Sequence, residues 1–170
     1  MEDDSLAMPA IRIQPEHLAF MGNAIDLASR NVRSGAGGPF GAVVVKDGKV
    51  IATGVNQVVA LSDPTAHAEI LAIRAACQSL GSFELEGCDL YASCEPCPMC
   101  LGAIYWARPR ALYYAATRMD AANAGFDDAA IYAEFALPSD ARRIRMIQIP
   151  HPMASQSFEL WTQAKDKIVY

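Results

Sequence analysis

Apolar residues recur at three- and four-residue steps near the start of the chain, at Leu18, Met21, Ile25, Ala28 and Val32. That period predicts a helix opening near Pro15 and Glu16, with Gly35 suited to its stop, and assigns these five side chains to the core. The pattern then changes. Residues 40–46 form a nearly continuous apolar run, Asp47-Gly48 is a tight-turn pair, and 49–55 follows as a partner, which together read as a β-hairpin. Asp63-Pro64 has the form of a cap followed by a first-turn proline, so a second helix is predicted through His67 and Glu69 to about Ser79, with Gly81 beyond. A third strand is predicted over 89–93 and a third helix between Pro96 and Pro109. Further on come a fourth strand over 110–115, a short helix over 128–135, a fifth strand over 143–149 and a helix over 155–167. Strands alternating with helices place the chain in the α/β class, as one layered domain.

Composition adjusts this picture little. The 170 residues are 52% hydrophobic, with mean hydropathy +0.13, enough for a substantial core and for some apolar surface shared between subunits. No apolar run approaches the ~20 residues of a membrane span. Met1-Glu2-Asp3-Asp4 is acidic where a secretion signal is basic, which predicts a reducing, cytoplasmic setting. There the five cysteines read as metal ligands or core rather than disulfides. The net charge of −5 and pI of about 5.1 disfavour a grip on nucleic acid. The one dense basic stretch, Arg142-Arg143-Ile144-Arg145, reads as solvated surface, so a small-molecule substrate is predicted.

Two fragments carry chemistry: His67-Ala68-Glu69, and Pro96-Cys97-Pro98-Met99-Cys100. A cysteine pair three residues apart shares one helix face, and a helix N-terminus favours thiolate, the form that binds zinc. Positions i and i+2 of a helix point about 200° apart, so His67 and Glu69 can share a site only off a helix end. One imidazole and two thiolates leave a tetrahedral zinc with an open position, which is the catalytic pattern. Glu69 is then free to move protons. The spacing H-x-E then P-C-x-x-C is the signature of zinc-dependent nucleobase deaminases. Two other readings use Cys94, as part of an iron–sulfur run with Cys97 and Cys100 or as a fourth ligand closing a structural zinc. A non-catalytic zinc module would have no use for Glu69. Cys77 and Cys88 read as core.

On these motifs the chain resembles the cytidine deaminase-like superfamily, and within it the bacterial guanine deaminases. Gly37-Gly38-Pro39-Phe40-Gly41-Ala42, Ile104-Tyr105-Trp106-Ala107-Arg108-Pro109 and Gly125-Phe126-Asp127-Asp128 extend the likeness from about Glu16 to Tyr170. The resemblance implies a three-layer α/β/α sandwich around a five-stranded mixed sheet and one Zn2+ per subunit on His67, Cys97 and Cys100. It implies hydrolysis of guanine to xanthine and ammonia, by attack of zinc-bound hydroxide on C2 with Glu69 as proton shuttle. For substrate it implies Asn56 on the purine edge, Phe40, His67 and Trp106 around the ring, and the Ala68 N–H beside the attacking oxygen. Asp128 and Glu134 match acidic positions that recognise the base, although either suits a helix-end or surface role equally. Glu95 reads as a residue that holds the local backbone. The resemblance also implies a homodimer, in which residues 1–154 form the deaminase domain and 155–170 an arm crossing to the partner, with Tyr170 over its pocket. Guanosine, an aminotriazine or a tRNA adenosine are alternative substrates.

Overall fold

The computed structural model describes residues 13–126 and 128–170, in two compact units that meet between Thr117 and Arg118. The first unit runs α1 (Pro15–Arg33), β1 (Gly41–Lys46), β2 (Lys49–Val55), α2 (Val58–Leu61), α3 (Ala68–Leu80), β3 (Cys88–Cys94), α4 (Pro98–Ala107) and β4 (Ala111–Ala116). Its sheet has the order β2-β1-β3-β4, antiparallel except for the parallel β3–β4 pair, so it is mixed. β1 and β3 are central and almost wholly buried, as their apolar runs require of strands covered on both faces.

Alternation within those strands sorts two cores. Val43, Val45 and Tyr91 point to one face with Ala24 of α1, and Phe20, Met21 and Leu27 pack around them. Ala42, Val44 and Leu90 point to the other, against Ala68, Ala72, Ile73 and Ala76 of α3 and Ile104 and Ala107 of α4. Helices therefore cover both faces of the sheet. Glycine sets how closely they sit. A Cβ on Gly54 would come within 3.0 Å of the Ala68 carbonyl and the Ala72 nitrogen, and one on Gly41 would meet the backbone of α1 at Ala24 and Ala28. The start of α3 thus rests directly on β2.

Three expectations change. α1 turns Ala24, Ala28 and Asn31 inward, while Leu18, Ile25 and Val32 are exposed. The close approach at Gly41 admits only small residues, so the larger apolar stripe faces away. Next, α3 begins at Ala68 rather than Pro64. The Asp63 carboxylate accepts the Thr65 N–H (2.8 Å) and hydroxyl (2.7 Å), a side-chain turn that competes with helix. His67 is left extended (φ −75°, ψ 156°) as the N-cap. α4 likewise begins at Pro98 rather than Pro96, with Cys97 extended before it.

The third correction concerns the second unit, which holds α5 (Arg118–Asn123), α6 (Asp128–Ala136), a 3-10 turn (Ser139–Ala141) and α7 (Gln156–Gln163). Among the described residues the sheet has four strands, and 143–149 carries no strand pairing. The Arg143 N–H goes instead to the Glu134 carboxylate (2.9 Å), and Ile144, Ile147 and Ile149 are exposed. α7 stops at Gln163 rather than near Lys167, and the Lys167 ammonium folds back on the Thr162 carbonyl.

Candidate active site

Two helix N-termini meet in the first unit. His67 caps α3 and Cys97 caps α4, each with its carbonyl accepting the first helical N–H, from Leu71 and Leu101. Cys100 lies one turn into α4. The His67 Nδ1 stands 3.6 Å from the Cys97 Sγ and 3.5 Å from the Cys100 Sγ. Bond lengths of 2.0–2.3 Å about a tetrahedral zinc place its nitrogen and sulfur ligands about 3.6 Å apart. The three donors fit one zinc ion.

The set is open rather than closed. Among the described residues no other His, Cys, Asp or Glu joins the group. Cys94 directs its Sγ to the Thr117 carbonyl (3.5 Å) at the end of β3, which removes both readings that gave it a place among the ligands. Glu95 is held by its backbone, its N–H on the Ala116 carbonyl (2.8 Å). Cys77 and Cys88 lie away from the group, and burial pushes both thiols up.

The electrostatics suit metal binding. Cys97 is held down to about 4, first by the hydrogen bond from Cys100 and then by that with His67, which favours its thiolate. Cys100, holding the proton of that bond, is pushed up. Two helix N-termini add partial positive charge behind the sulfurs. Ile70 and Ala103 surround the cysteines with apolar contacts.

Glu69, the second residue of α3, is only 7% exposed. Burial, the largest influence, lifts its carboxyl above the ordinary carboxylate range, and a hydrogen bond to Cys100 sets it at the metal group. A carboxyl so placed can take up a proton and return it. The extended His67 resolves the angular problem, because the imidazole leaves the helix end while Glu69 leaves its first turn.

Asn56 follows β2 and is buried. Its N–H donates to the Phe40 carbonyl (3.1 Å), and its Oδ1 accepts from the N–H groups of Gly38 and Val58 (3.4 Å each). Two backbone donors on one end identify that end as oxygen, so the Nδ2 donor points away from them. Phe40 packs on the core beside Ala42 and Ala68. Ala68 is fully buried, whereas Trp106 on α4 is 64% exposed.

Asp128, Glu134 and Tyr170 belong to the second unit. Asp128 opens α6, where a carboxylate suits a helix N-terminus. Glu134 pairs with Arg143 (Nε–O 3.3 Å) and lines a largely apolar cleft of about 500 Å³ with Ile131, Phe135 and Met146. Tyr170 meets Trp161 edge to face at 6.5 Å. Sequence reasoning missed Asn31, whose amide donates to the carbonyls of Gly38 and Asn56. Only its phase on α1, seven residues after Ala24, could have signalled it.

Fold and site together define a zinc-dependent deaminase. Residues 14–116 match the cytidine and deoxycytidylate deaminase zinc-binding region, and the chain belongs to that family. It is 53% identical to the guanine deaminase of Bacillus subtilis over 154 residues, 91% of this chain and 99% of that one. The X-ray structure of guanine deaminase from Bacillus subtilis superposes with a TM-score of 0.88 at 52% identity, covering 91% of this chain and 98% of the other. The tRNA-specific adenosine deaminase of Agrobacterium fabrum is 56% identical, but over 78 residues, 46% of this chain and 51% of its own. Among the described residues no helix is long and apolar enough to cross a membrane.

Proposed function

We propose that the protein deaminates guanine, converting guanine and water to xanthine and ammonia. One observation carries the reading: a three-ligand zinc set, open at its fourth position, has the buried Glu69 carboxyl against it. The extent of similarity supports the substrate, since it spans 91% of the chain for a guanine deaminase and 46% for a tRNA deaminase.

His67, Cys97 and Cys100 would hold the zinc, which when bound would supply a Lewis acid and lower the pKa of water toward ~7. The protein's own groups do the rest. Glu69 takes a proton from the attacking water and delivers it to purine N3, because attack at C2 breaks the ring's amidine conjugation. It then takes the remaining proton from the C2 hydroxyl, which becomes the C2 carbonyl, and gives it to the 2-amino group, which leaves as ammonia rather than as an amide anion. The Ala68 N–H lies beside the incoming oxygen. Asn56 presents Nδ2 to the acceptors of the purine edge, and Phe40, His67 and Trp106 enclose the ring. Asp128 and Glu134 accept the N–H groups of guanine, Glu134 after leaving Arg143.

The same reading includes a cytoplasmic homodimer in which 155–170 is an arm laid on the partner, Tyr170 covering its pocket. Among the described residues β4 has a strand partner on one side, and 143–149 alternates like a strand, which supports a five-stranded sheet in the assembled protein. Excluding water at the covered pocket strengthens the charges inside it. The direct test is ammonia release from guanine, guanosine, adenine, cytosine and cytidine, before and after chelation. Chelation-sensitive release from guanine is expected, and release from cytidine but not guanine would overturn the assignment.

A further inference from the structure

We propose that Asn31 is a positioning residue for the substrate, fixing the direction in which Asn56 presents its side-chain amide. The inference rests on Asn56 being the purine-edge contact. Asn31 lies in the last turn of α1, faces inward and is 5% exposed. Its Nδ2 gives one hydrogen to the Gly38 carbonyl (2.9 Å) and the other to the main-chain carbonyl of Asn56 (2.8 Å). One amide thereby ties the loop before β1 to the residue after β2. Its own carbonyl receives the Ala36 N–H (3.2 Å) and the Ser34 hydroxyl (2.9 Å), which fastens the helix end to the same loop. Gly37 makes the approach possible, since a Cβ there would lie within 3.0 Å of both the Asn56 carbonyl and the Asn31 Nδ2.

The consequence falls on the Asn56 side chain. Of the two N–H groups that hold its Oδ1, one belongs to Gly38, and Gly38 is the residue whose carbonyl Asn31 holds. Removing the Asn31 amide loosens that segment, leaving the Gly38 carbonyl with the Phe40 N–H alone (2.9 Å) and Val58 as the better-held of the two donors. Nothing then opposes a flip of the Asn56 amide strongly, and the flipped form offers an acceptor to a purine edge that also offers acceptors. Asn31 touches neither the metal ligands nor Glu69. Its effect belongs in binding rather than in the chemical step.

A double-mutant cycle tests this, with KM and kcat for guanine measured on the wild type, Asn31→Ala, Asn56→Ala and the double variant. Asn31→Ala is expected to raise KM about tenfold, with kcat within about twofold and zinc content unchanged. In the Asn56→Ala background it is expected to add nothing. Additive effects, or a fall in kcat at unchanged KM, would overturn the positioning role while leaving Asn56 in place. Asn56→Ala with an unchanged KM would remove the reading beneath it, and the inference with it. Should Asn31→Ala not fold, Asn31→Ser keeps one donor for two carbonyls. A smaller rise in KM, again dependent on Asn56, supports the role, and a wild-type KM in that variant overturns it.

Discussion

Residues 13–117 build a core on both faces of a sheet, and the central strands β1 and β3 hold Val43, Val44 and Leu90 with no exposure at all. Arg118–Tyr170 do the opposite: Ile144, Ile149 and Phe158 are each at least 72% exposed, and none of α5, α6 or α7 has a large buried side chain. The first region has the core to hold its own geometry, and the whole metal group lies within it. The second carries apolar surface that calls for a cover. The difference separates two properties an activity assay would merge, the capacity to hold zinc and the capacity to turn over substrate. Variants at the metal ligands of the first region should lose both, and variants of the second region only turnover.

The largest effect is expected at the ligands. Cys97→Ala removes one of the two sulfur ligands and leaves two donors, so metal content by elemental analysis should fall below one zinc per chain and ammonia release should vanish. Full zinc with retained activity would show that the metal lies elsewhere. Deleting residues 168–170 comes next. Turnover should fall sharply while zinc stays bound, because the three metal ligands all belong to the first unit. Unchanged turnover would refute the covering role of Tyr170. The smallest contrast is in stability. Leu90→Ala empties a fully buried site and should cost about 2–5 kcal/mol in denaturant unfolding, whereas Ile144→Ser should stay within about 0.5 kcal/mol at concentrations where the chain is monomeric. If Ile144→Ser cost as much as Leu90→Ala, the contrast between the two regions would be wrong.

Much of the first region was legible in sequence because its signals are local. The apolar run from Gly41, the Asp47-Gly48 turn and the framing of Cys97 and Cys100 by Pro96 and Pro98 place strands, hairpin and metal helix to within one or two residues. What escaped depends on alternatives that local pattern leaves equal. Asp63-Pro64 serves as a helix cap or as a side-chain turn, and the hydroxyl of Thr65 decides for the turn. α1 carries two apolar stripes, and the glycine opposite it selects the stripe of small residues. Asn31 looks polar in isolation and is buried only because two carbonyls converge on it. The fifth strand reads clearly as a pattern, but a strand exists only when an edge is offered to it.

The site's ligands were readable as residue types, and its geometry was not. Spacing shows that His67 and Glu69 cannot both lie along a helix barrel, yet only the structure shows that His67 is the extended cap and that Nδ1 faces the sulfurs. Burial of Glu69 followed from neither composition nor spacing, since a glutamate in a first helical turn is ordinarily solvated. It results from the direct seating of α3 on Gly54, which brings the start of that helix into the core.

That buried carboxyl is where the account is most exposed. Glu69→Gln keeps size and hydrogen bonding but can neither accept the water's proton nor return one to the substrate. Measured on guanine with zinc content in parallel, it is expected to retain one zinc per chain and to lose turnover by roughly 10²–10⁴-fold, the usual contribution of a positioned acid–base group. Normal turnover in a zinc-loaded Glu69→Gln enzyme would contradict the proton-shuttle mechanism outright.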